Sequence, residues 1–573
     1  MTEQSISITM TGSGGSGVMT AGNMLLDAAG RSGLFGIMTR SAGPQIRGGE
    51  AAAMLRLSNK PILSHKDQFD ILLGIDWKNA DLFASEIVLD NNSITIGETG
   101  IPQAFTESAG RHYELSVAEI AKQIPDGRAN MVALGVAAKL ISIPLSAIKE
   151  VLTKSLLKQK GEGAVRSSLE AVEAGMAAAS AIPSIPAPTA DPEAAANNWS
   201  ITGNEACGMG AIRGGIRFVA AYPITPATEV LEWLATNLPK LGGKLVQAED
   251  ELASINQAIG ASFGGVPSLT ATSGPGIALM TESLGLSVAS ETPIVVIDVM
   301  RGGPSTGIPA KSEQSDLNIA VFGLHGDAPH VVTAPLTIAD CLMTTQWSVY
   351  LAEKLQTPTI VLSDQALGQT RAVIPGVPDA GYEPERAIAV NPDKTYQRYA
   401  DTENGVSPMS LPGTESGQYT ADGLEHTQSG RPSSKAEDHH RQMNKRLRKI
   451  KGFDFGDNWA EASGDDDAEI AVLTWGSSFG AISQAVEELR QSGQKLRLIG
   501  VRLISPAQPE RMKKLLNNVK KVLVIEQNHS GQFYHYLKAY YDLDAEIKSI
   551  AIPGPLPILP SQVRQYLRDW SQI

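Results

Sequence analysis

The stretch from Tyr222 to Leu317 contains Tyr222-Pro-Ile-Thr-Pro226, Gln247-Ala-Glu-Asp-Glu251, Thr272-Ser-Gly-Pro-Gly276 and Arg301-Gly-Gly-Pro-Ser-Thr-Gly307. Each of these segments stands where an apolar, strand-like run gives way to a helix-like run. This alternation predicts a parallel, doubly wound α/β sheet, and such sheets carry their chemistry at the carboxyl ends of the strands. We therefore expect the four segments to form half of an active site.

Length and composition restrict the class of protein. The chain has 573 residues, is 42% hydrophobic and 19% charged, and carries a formal net charge of −13. Its length predicts three or four domains, and its charge argues against general binding to nucleic acid or to an anionic membrane. No apolar run approaches the roughly 18 residues of a membrane helix, and the start lacks the pattern of a signal peptide. These features favour a cytoplasmic enzyme.

The cysteine content limits the metal chemistry. The chain has two cysteines, Cys207 and Cys341. Two thiols cannot supply the four-cysteine shell of an iron–sulfur cluster, and no Cys/His group has the spacing of a zinc site. We therefore expect no metal site in this chain.

A glycine-rich turn near the N-terminus has the spacing of a phosphate-binding motif. Gly12-Ser-Gly-Gly-Ser-Gly17 stands between a strand-like and a helix-like run and satisfies the GxGxxG pattern. A dinucleotide site also needs an acidic residue at the end of the next strand, which here ends in Arg40-Ser41. The sequence therefore favours a plain tight turn, or another phosphate ligand on the helix N-terminus, over NAD. Arg47, with glycine and proline on both sides, is either solvated or a phosphate contact.

Composition also marks the domain boundaries. Ile182 to Pro192 has four prolines in eleven residues, which predicts an extended linker outside any core. Periodicity fails from about 368 to 452, where the six cations of Arg441–Lys451 favour a solvated helix face at the end of a surface excursion, although so long an excursion often forms an interface. The predicted parts are 1–181, the linker 182–199, 200–370, the irregular connection or interface arm 371–460, and 461–573. The first, third and last are predicted to be α/β.

Glu249 is the candidate acid–base residue. It follows a predicted strand and stands next to Asp250 and Glu251. Partial desolvation and neighbouring like charge would favour the protonated form, which can donate to a ring nitrogen. Alternatively, Glu249 belongs to an acidic helix N-terminus that the helix dipole stabilises.

Three further positions suit a small ligand, and each has a simpler explanation. The hydroxyl and amide of Thr225, between two prolines, could hold a carboxylate, or the prolines could only shape a turn. Ser273-Gly274 allows close approach of backbone to a ligand, or simply begins a helix. Arg301 suits bidentate recognition of a carboxylate, or forms a structural ion pair.

Together these segments resemble the α subunit of the 2-oxoacid:ferredoxin oxidoreductases, in the type with a γ-type domain fused ahead of α, and especially the 2-oxoglutarate enzymes. Three further motifs extend the resemblance over essentially the whole chain: Ser407-Pro-Met-Ser-Leu-Pro-Gly413, Gly423-Leu-Glu-His426 and Glu526-Gln-Asn-His-Ser-Gly-Gln532. The resemblance implies a γ-type α/β domain, a doubly wound domain that binds the pyrimidine of thiamine diphosphate, and a transketolase C-terminal-like α/β domain.

The resemblance also implies roles for individual residues. The aminopyrimidine would be held by Tyr222, Pro223, Ile224, Thr225, Glu249, Ser273 and Gly274. Glu249 would be catalytic through a hydrogen bond to the ring nitrogen, and the substrate carboxylate would contact Thr225, Arg301 and position 310. Ala310 stands where many relatives carry threonine, which leaves the substrate range open. Coenzyme A would lie near Gly14, Gly15 and Arg47.

The implied enzyme is shared between subunits. A β subunit would hold the diphosphate, Mg²⁺ and a [4Fe-4S] cluster, in an α2β2 heterotetramer that passes electrons to ferredoxin. This chain agrees, since it lacks cluster cysteines and a Gly-Asp-Gly followed by a downstream Asn. The reaction would be the coenzyme A-dependent oxidative decarboxylation of 2-oxoglutarate to succinyl-CoA and CO₂, or the reverse, as in a reductive tricarboxylic acid cycle.

Three alternatives remain at this point. The chain could act on pyruvate or branched 2-oxoacids within the same family. It could be a self-contained thiamine enzyme of the transketolase or dehydrogenase-E1 kind, which the missing metal motif disfavours. It could also be a non-catalytic, nucleotide-binding scaffold subunit.

Overall fold

The computed structural model describes residues 3–43 and 49–571, which form two compact units. The first contains the chain up to Thr202 together with 369–377 and 559–563. The second contains 203–368, 378–558 and the chain from Arg564 onward. None of the described helices is long and apolar enough to cross a membrane.

The chain up to Thr202 alternates strands and helices. Its elements are β1 (Ser5–Ser13), α1 (Val18–Arg31), β2 (Phe35–Ala42), β3 (Glu50–Ser58), β4 (Ile71–Gly74), β5 (Ile94–Gly97), α2 (Gln103–Thr106), β6 (Arg111–Glu114), α3 (Val117–Lys122), α4 (Ala129–Leu140), α5 (Leu145–Ala178), α6 (Pro192–Ala195) and β7 (Asn198–Thr202). The long element α5 is interrupted at Gly161, whose φ is 79°. A residue with a side chain rarely adopts this φ, so the glycine accounts for the break.

The next segment has the predicted alternation. Its elements are α7 (Gly203–Arg213), β8 (Phe218–Ala221), α8 (Thr228–Asn237), β9 (Lys244–Gln247), α9 (Glu251–Phe263), β10 (Ser268–Thr272), α10 (Gly274–Ser290), β11 (Ile294–Met300), α11 (Leu317–Phe322), β12 (Val331–Thr333), α12 (Ile338–Leu355), β13 (Pro358–Asp364) and α13 (Gln365–Gln369). Capping residues define the helix starts. Asp250 accepts from the amide of Ala253 at the start of α9, and Thr337 accepts from the amide of Asp340 at the start of α12.

The remaining elements follow a long connection. They are β14 (Arg371–Pro375), α14 (Ala436–Lys451), β15 (Ala460–Gly464), β16 (Ile470–Thr474), α15 (Ser478–Gln491), β17 (Leu496–Val501), β18 (Leu503–Ser505), α16 (Pro509–Leu515), β19 (Lys521–Glu526), α17 (Gln532–Tyr540), β20 (Glu546–Ala551) and α18 (Pro560–Ser571). Short 3₁₀ turns lie at Ala80–Phe83, Ala179–Ala181, Leu238–Leu241 and Gly456–Trp459.

The first unit is built on an eight-stranded mixed sheet in the order β6-β5-β4-β1-β3-β2-β14-β7. β14 is antiparallel to both β2 and β7, and Arg371 lies opposite Met38 and Thr202. The chain therefore returns to this sheet after β13, which the sequence did not predict. The proline-rich segment is extended as predicted, but Ile182 is buried in the core and Ile185 packs against it. The expectation that this segment stays outside a core is wrong, because apolar residues alternate with the prolines.

The second unit has two sheets. The larger has the order β18-β12-β13-β11-β10-β8-β9. β8 to β13 are parallel to one another, as predicted, and β18 pairs antiparallel with β12 at the edge. The smaller has the order β15-β17-β16-β19-β20. All seven residues of β11 are buried, which matches a central strand that helices cover on both faces.

The connection from Pro378 to Gly452 ends in a basic helix that is largely buried. The predicted helix is present as α14, but Lys445, Arg446 and Lys449 are all at least 96% buried. Glu291 lies between the two lysines, with Lys445 Nζ at 2.5 Å and Lys449 Nζ at 3.1 Å from its oxygens. The prediction of a solvated cationic face is therefore wrong for these three residues. A buried carboxylate balances the lysine charges, and the sequence places that carboxylate more than 150 positions away.

Candidate active site

The Tyr222–Pro226 turn presents polar groups at the end of β8. Tyr222 is 40% exposed and Thr225 is also exposed, whereas Pro226 is buried after a cis peptide bond. Asn204 of α7 donates to the carbonyl of Pro226 at 3.0 Å, and the amide of Thr228 donates to that of Ile224. The turn is therefore fixed by its own backbone contacts, and its side chains remain available to a ligand.

Glu249 lies beside this turn. The amide of Ala248 donates to the carbonyl of Ala221 at 2.9 Å, which sets the ends of β8 and β9 side by side. Glu249 is exposed, and it makes no hydrogen bond or ion pair within the described part of the chain. The predicted desolvation is therefore wrong for this chain taken alone. Asp250, and not Glu249, caps helix α9. The Glu249 carboxylate therefore stays uncommitted at the end of β9, next to the strand end that carries Tyr222, and it can bond a ring nitrogen of a ligand.

The Ser273–Gly276 segment begins α10, with Pro275 in the first turn. Ser273 is fully buried. A Cβ on Gly274 would lie 2.7–2.9 Å from the carboxyl group of Asp316, and a Cβ on Gly276 would lie 1.9 Å from the hydroxyl of Thr272. Packing within the protein therefore requires a glycine at both positions, which supports the helix-start interpretation.

Arg301 immediately follows β11 and is 93% buried. Its Nη1 donates to the carbonyl of Thr225 at 2.6 Å, and its Nε has no hydrogen-bond partner among the described residues. Burial lowers the pKa of Arg301, and the nearby carboxyl of Asp316 opposes that shift. The sequence left open that Arg301 forms a structural ion pair. In the structure its guanidinium is held by the hydrogen bond to the Thr225 carbonyl instead.

Position 310 closes the loop that follows Arg301. The amide of Gly302 donates to the carbonyl of Lys311 at 3.0 Å, and the amide of Ile308 donates to that of Gly302 at 2.8 Å. Ala310 is half-buried within this loop, and Ile308 is exposed. The structure therefore brings together Tyr222, Thr225, Glu249, Ser273 and Arg301 at one edge of the sheet, with the loop carrying Ala310 beside them.

Comparisons with known proteins agree with this geometry. Three family models match: pyruvate ferredoxin/flavodoxin oxidoreductase over residues 7–178, pyruvate flavodoxin/ferredoxin oxidoreductase, thiamine diP-bdg, over 209–445, and pyruvate:ferredoxin oxidoreductase core domain II over 468–552. The 2-oxoacid:ferredoxin oxidoreductase subunit alpha of Saccharolobus solfataricus is 31% identical over 93% of this chain and 93% of its own length. The chain belongs to the 2-oxoacid:ferredoxin oxidoreductase family.

Within this family, the chain is also similar to proteins named for 2-oxoglutarate. The 2-oxoglutarate synthase subunit KorA of Methanothermobacter marburgensis is 35% identical over 59% of this chain and 89% of its own length. A solved structure, the 2-oxoglutarate:ferredoxin oxidoreductase of Magnetococcus marinus with 2-oxoglutarate, coenzyme A and succinyl-CoA bound, superimposes with a TM-score of 0.92 at 35% identity over 99% of each chain. Relatives are named as subunits, so the family's enzymes are multisubunit.

Two acids of this oxidoreductase chain were not predicted from the sequence. Asp298 lies within β11 and is fully buried, and Asp316, which is half-buried, immediately precedes α11. Burial, and then the neighbouring Asp316, raises the pKa of Asp298 well above its usual range. Burial and Glu313 raise the pKa of Asp316 to about 7, against the opposing effect of Arg301. An aspartate within an otherwise apolar strand was the signal that could have revealed Asp298.

The Glu526–Gln532 motif has a structural role. Gln314 Oε1 accepts from the amide of Gln527 at 2.8 Å, and the carbonyl of Gln527 accepts from the amide of Gln314 at 2.7 Å. Asn528 Nδ2 donates to the carbonyl of Gln314, and Gln532 Nε2 donates to that of Ser315. The segment that follows β19 therefore holds the loop that carries Asp316 in place.

The N-terminal turn is already occupied by protein groups. The amide and hydroxyl of Ser13 both donate to Asp76 Oδ2, at 3.0 and 2.8 Å, and the amide of Gly14 donates to the carbonyl of Gly49. Gly15 has a φ of 95° and open space around it. Arg47 lies outside the described residues. A carboxylate in the turn makes it less suited to a dinucleotide phosphate than its sequence suggested.

Proposed function

We propose that this chain is the α subunit of a 2-oxoglutarate:ferredoxin oxidoreductase. The enzyme converts 2-oxoglutarate, coenzyme A and oxidised ferredoxin into succinyl-CoA, CO₂ and reduced ferredoxin, or runs in reverse. One observation carries the proposal: Glu249, Tyr222 and the Thr225–Arg301 pair meet at one sheet edge in a chain that matches the M. marinus 2-oxoglutarate enzyme over 99% of its length. The same proposal places the enzyme in the cytoplasm.

We infer that the strand-end residues hold the aminopyrimidine half of thiamine diphosphate: Tyr222, Pro223, Ile224, Thr225, Glu249, Ser273 and Gly274. Bound thiamine diphosphate supplies a carbon nucleophile and an electron sink for loss of CO₂ from a 2-oxoacid. The uncommitted carboxylate of Glu249 and the exposed ring of Tyr222 fit a planar heterocycle. Glu249 holds a proton at a carboxyl oxygen and hydrogen-bonds the ring nitrogen once a second subunit excludes water, since desolvation favours the neutral acid.

Arg301 and Thr225 are the proposed contacts of the substrate carboxylate. Arg301 is anchored through Nη1, so its orientation is set before substrate arrives, which lowers the entropic cost of binding. Thr225 is exposed, so its hydroxyl can donate to the substrate, while its own carbonyl accepts the hydrogen bond from Arg301. Ala310 offers a methyl group instead of a hydroxyl, so this loop discriminates among 2-oxoacids by shape more than by hydrogen bonding.

A β subunit completes the proposed site. Glu249, Thr225 and Tyr222 are exposed in this chain, and no group of three or more His, Cys, Asp or Glu among the described residues could hold a metal ion. We therefore assign the diphosphate, Mg²⁺ and a [4Fe-4S] cluster to the β subunit of an α2β2 assembly. Coenzyme A is proposed to lie near Gly14, Gly15 and Arg47, on the open side of the turn at Gly15 and not on the amides of Ser13 and Gly14, which are already bonded.

Co-expression with the partner encoded next to this chain tests the proposal. The purified complex should reduce methyl viologen or ferredoxin only when 2-oxoglutarate and coenzyme A are both present, and this chain alone should not. A panel of 2-oxoacids, including pyruvate and a branched 2-oxoacid, gives the substrate preference. Activity confined to pyruvate would contradict the assigned substrate, and tight binding of thiamine diphosphate and Mg²⁺ by the lone chain would contradict the shared site.

A further inference from the structure

Helices α9 and α10 lie side by side and carry very little charge. Asn256 Nδ2 of α9 donates to Ser283 Oγ of α10 at 3.0 Å, which joins the two helices. Their 13 and 17 residues include two charged side chains, the buried Glu251 and the exposed Glu282. Helix α15 of the same unit has three charged side chains in 14 residues. A helix face that meets only water is normally rich in charged and polar residues, so the outer face of α9 and α10 is unusual for a solvated surface.

Two leucines on this pair of helices are exposed. Leu252, in the first turn of α9, is 47% exposed, and Leu279 of α10 is 53% exposed. The helices connect successive parallel strands, so they run in the same direction, and the hydrogen bond between them lies one turn beyond each leucine. The two leucines therefore stand next to each other. A single exposed leucine is ordinary, whereas a contiguous apolar patch marks an interaction surface.

The Gly423–His426 motif extends the apolar surface along α10. A Cβ on Gly423 would lie 3.7 Å from Leu286 Cδ1 of α10, and His426 Nε2 is 3.2 Å from the carbonyl oxygen of Ala289 in the last turn of that helix. Leu424, between these two anchored residues, is 58% exposed. The long connection thus places a third exposed leucine beside the same helix.

Gly260 has no packing reason within this chain. It lies inside α9, eight residues after Leu252 and therefore on the same side of the helix. It is exposed, and a Cβ built on it would meet nothing within 4 Å. Alanine would fit at this position and would favour the helix. A glycine here instead lets the backbone of another molecule come close to α9.

We propose that Leu252, Gly260, Leu279 and Leu424 form a docking face for an apolar, weakly charged helix of the β subunit. This inference rests on the proposed function. The enzymes of this family are multisubunit, and Glu249, which stands immediately before the N-cap of α9, is exposed. A subunit that covers Glu249 would continue directly onto the outer face of α9.

The composition of the docking face argues against a transient redox partner. Fast, electrostatically steered association with an electron acceptor depends on a charged surface, and Glu282 is the one exposed charge that α9 and α10 carry. Exposed leucines and a glycine that permits close backbone approach suit a permanent, well-packed contact, because the cores of such interfaces are depleted in charge.

Two substitutions and two matched controls test the docking face. The β subunit encoded next to this chain is immobilised, and its affinity for each full-length variant is measured by biolayer interferometry. Gly260→Ala and Leu279→Gln should each weaken binding by roughly tenfold or more. Gly163→Ala, at an exposed glycine of α5 that also has open space around it, and Leu241→Gln, at an exposed leucine after α8, should keep the wild-type affinity.

The thermal unfolding of the lone chain separates lost docking from lost folding. Gly260→Ala should leave the Tm unchanged or raise it, because alanine favours the helix, while it weakens binding to the β subunit. Leu279→Gln should leave the Tm unchanged, since this side chain is exposed. An affinity that drops only in proportion to a lower Tm would overturn the docking role.

Failure of the docking face and failure of the proposed function give different results. An active complex whose affinity is unchanged by both Gly260→Ala and Leu279→Gln overturns the docking face alone. A homodimer of the lone chain that Leu279→Gln dissociates assigns the face to a second copy and also overturns it. A complex that both variants weaken, but that reduces no acceptor with any 2-oxoacid, overturns the proposed function and leaves the docking face in place. A neighbouring subunit that does not bind this chain overturns both.

Discussion

The guanidinium of Arg301 donates through Nη1 to the carbonyl oxygen of Thr225 at 2.6 Å. This bond joins the end of β11 to the turn after β8, although β10 lies between the two strands in the sheet. Arg301, the candidate carboxylate contact, and the candidate pyrimidine turn at Thr225 therefore hold each other in position. A substitution at either place should displace the other.

Replacement of Arg301 by glutamine should weaken substrate binding. The change removes the charge that would face the substrate carboxylate, and hydrogen bonds to charged groups contribute roughly 1.5–3 kcal/mol. KM for 2-oxoglutarate in the assembled complex should rise roughly tenfold to a hundredfold, and Arg301→Lys should recover only part of the loss because it cannot reproduce the planar fork. An unchanged KM would remove Arg301 from the carboxylate site.

Gln314 should be essential to stability. It is fully buried, accepts from the amide of Gln527 and donates to the carbonyl of Trp475 at 2.8 Å. Gln314→Met keeps the volume but leaves the buried amide of Gln527 unpaired, at about 1–3 kcal/mol. It also removes one of the two hydrogen bonds to the carbonyl of Trp475, which keeps its bond from Ser478 Oγ. Urea unfolding should show a loss of that order. Gln491→Met, on an exposed part of α15, should cost little, and equal losses in the two variants would contradict the assigned role.

The buried Glu291 should be harder to replace than a surface glutamate. Glu291→Gln would leave Lys445 and Lys449 buried without their counter-ion, and breaking a buried ion pair on one side costs about 3–5 kcal/mol. Thermal unfolding should show a large drop in Tm. Glu437→Gln, in the exposed first turn of α14, is the control, and a comparable Tm for the two variants would show that the network contributes little.

His65 should make the chain sensitive to acid. Burial, with a smaller effect of Arg56, lowers the pKa of His65 from 6.5 to about 3. The folded-state pKa lies below the unfolded-state value, so the unfolded chain binds the extra proton and stability falls as pH decreases from 6.5 toward 3. At about 1.36 kcal/mol per pH unit, this one group accounts for roughly 2 kcal/mol of loss between pH 6.5 and 5.

The urea midpoint at pH 7 and pH 5 measures the effect of His65. His65→Gln should show a smaller decrease than the wild-type chain. The exposed His112 supplies the control, since His112→Gln should leave the decrease unchanged. If the urea midpoint of His65→Gln fell between pH 7 and pH 5 by as much as that of the wild-type chain, other groups would be responsible for the acid sensitivity.

Much of the fold could be predicted from local pattern. β8 to β11 end where the apolar runs end, and their four punctuated segments lie at one edge of the sheet, because the parallel alternation dictates that placement. The return of β14 to the first sheet could not be predicted. A strand of only five residues leaves no periodicity that distinguishes one sheet from another.

The electrostatics of the site depended on contacts that are distant in sequence. Lys445 looked solvated because its partner Glu291 is far away along the chain. Glu249 was predicted to be desolvated because its neighbours in sequence are apolar or acidic, yet its side chain is exposed within the part of the chain that the structure describes. Asp298 and Asp316 form a pair only through the folding of the loop between them.

The most direct test of the account replaces Glu249 in the assembled complex. Glu249→Gln should abolish 2-oxoglutarate-dependent reduction of viologen while the complex still forms. Asp250→Asn, which removes an adjacent exposed charge but can still cap α9, should keep its activity. Full activity in the Glu249→Gln complex would show that this sheet edge is not the pyrimidine half of the active site.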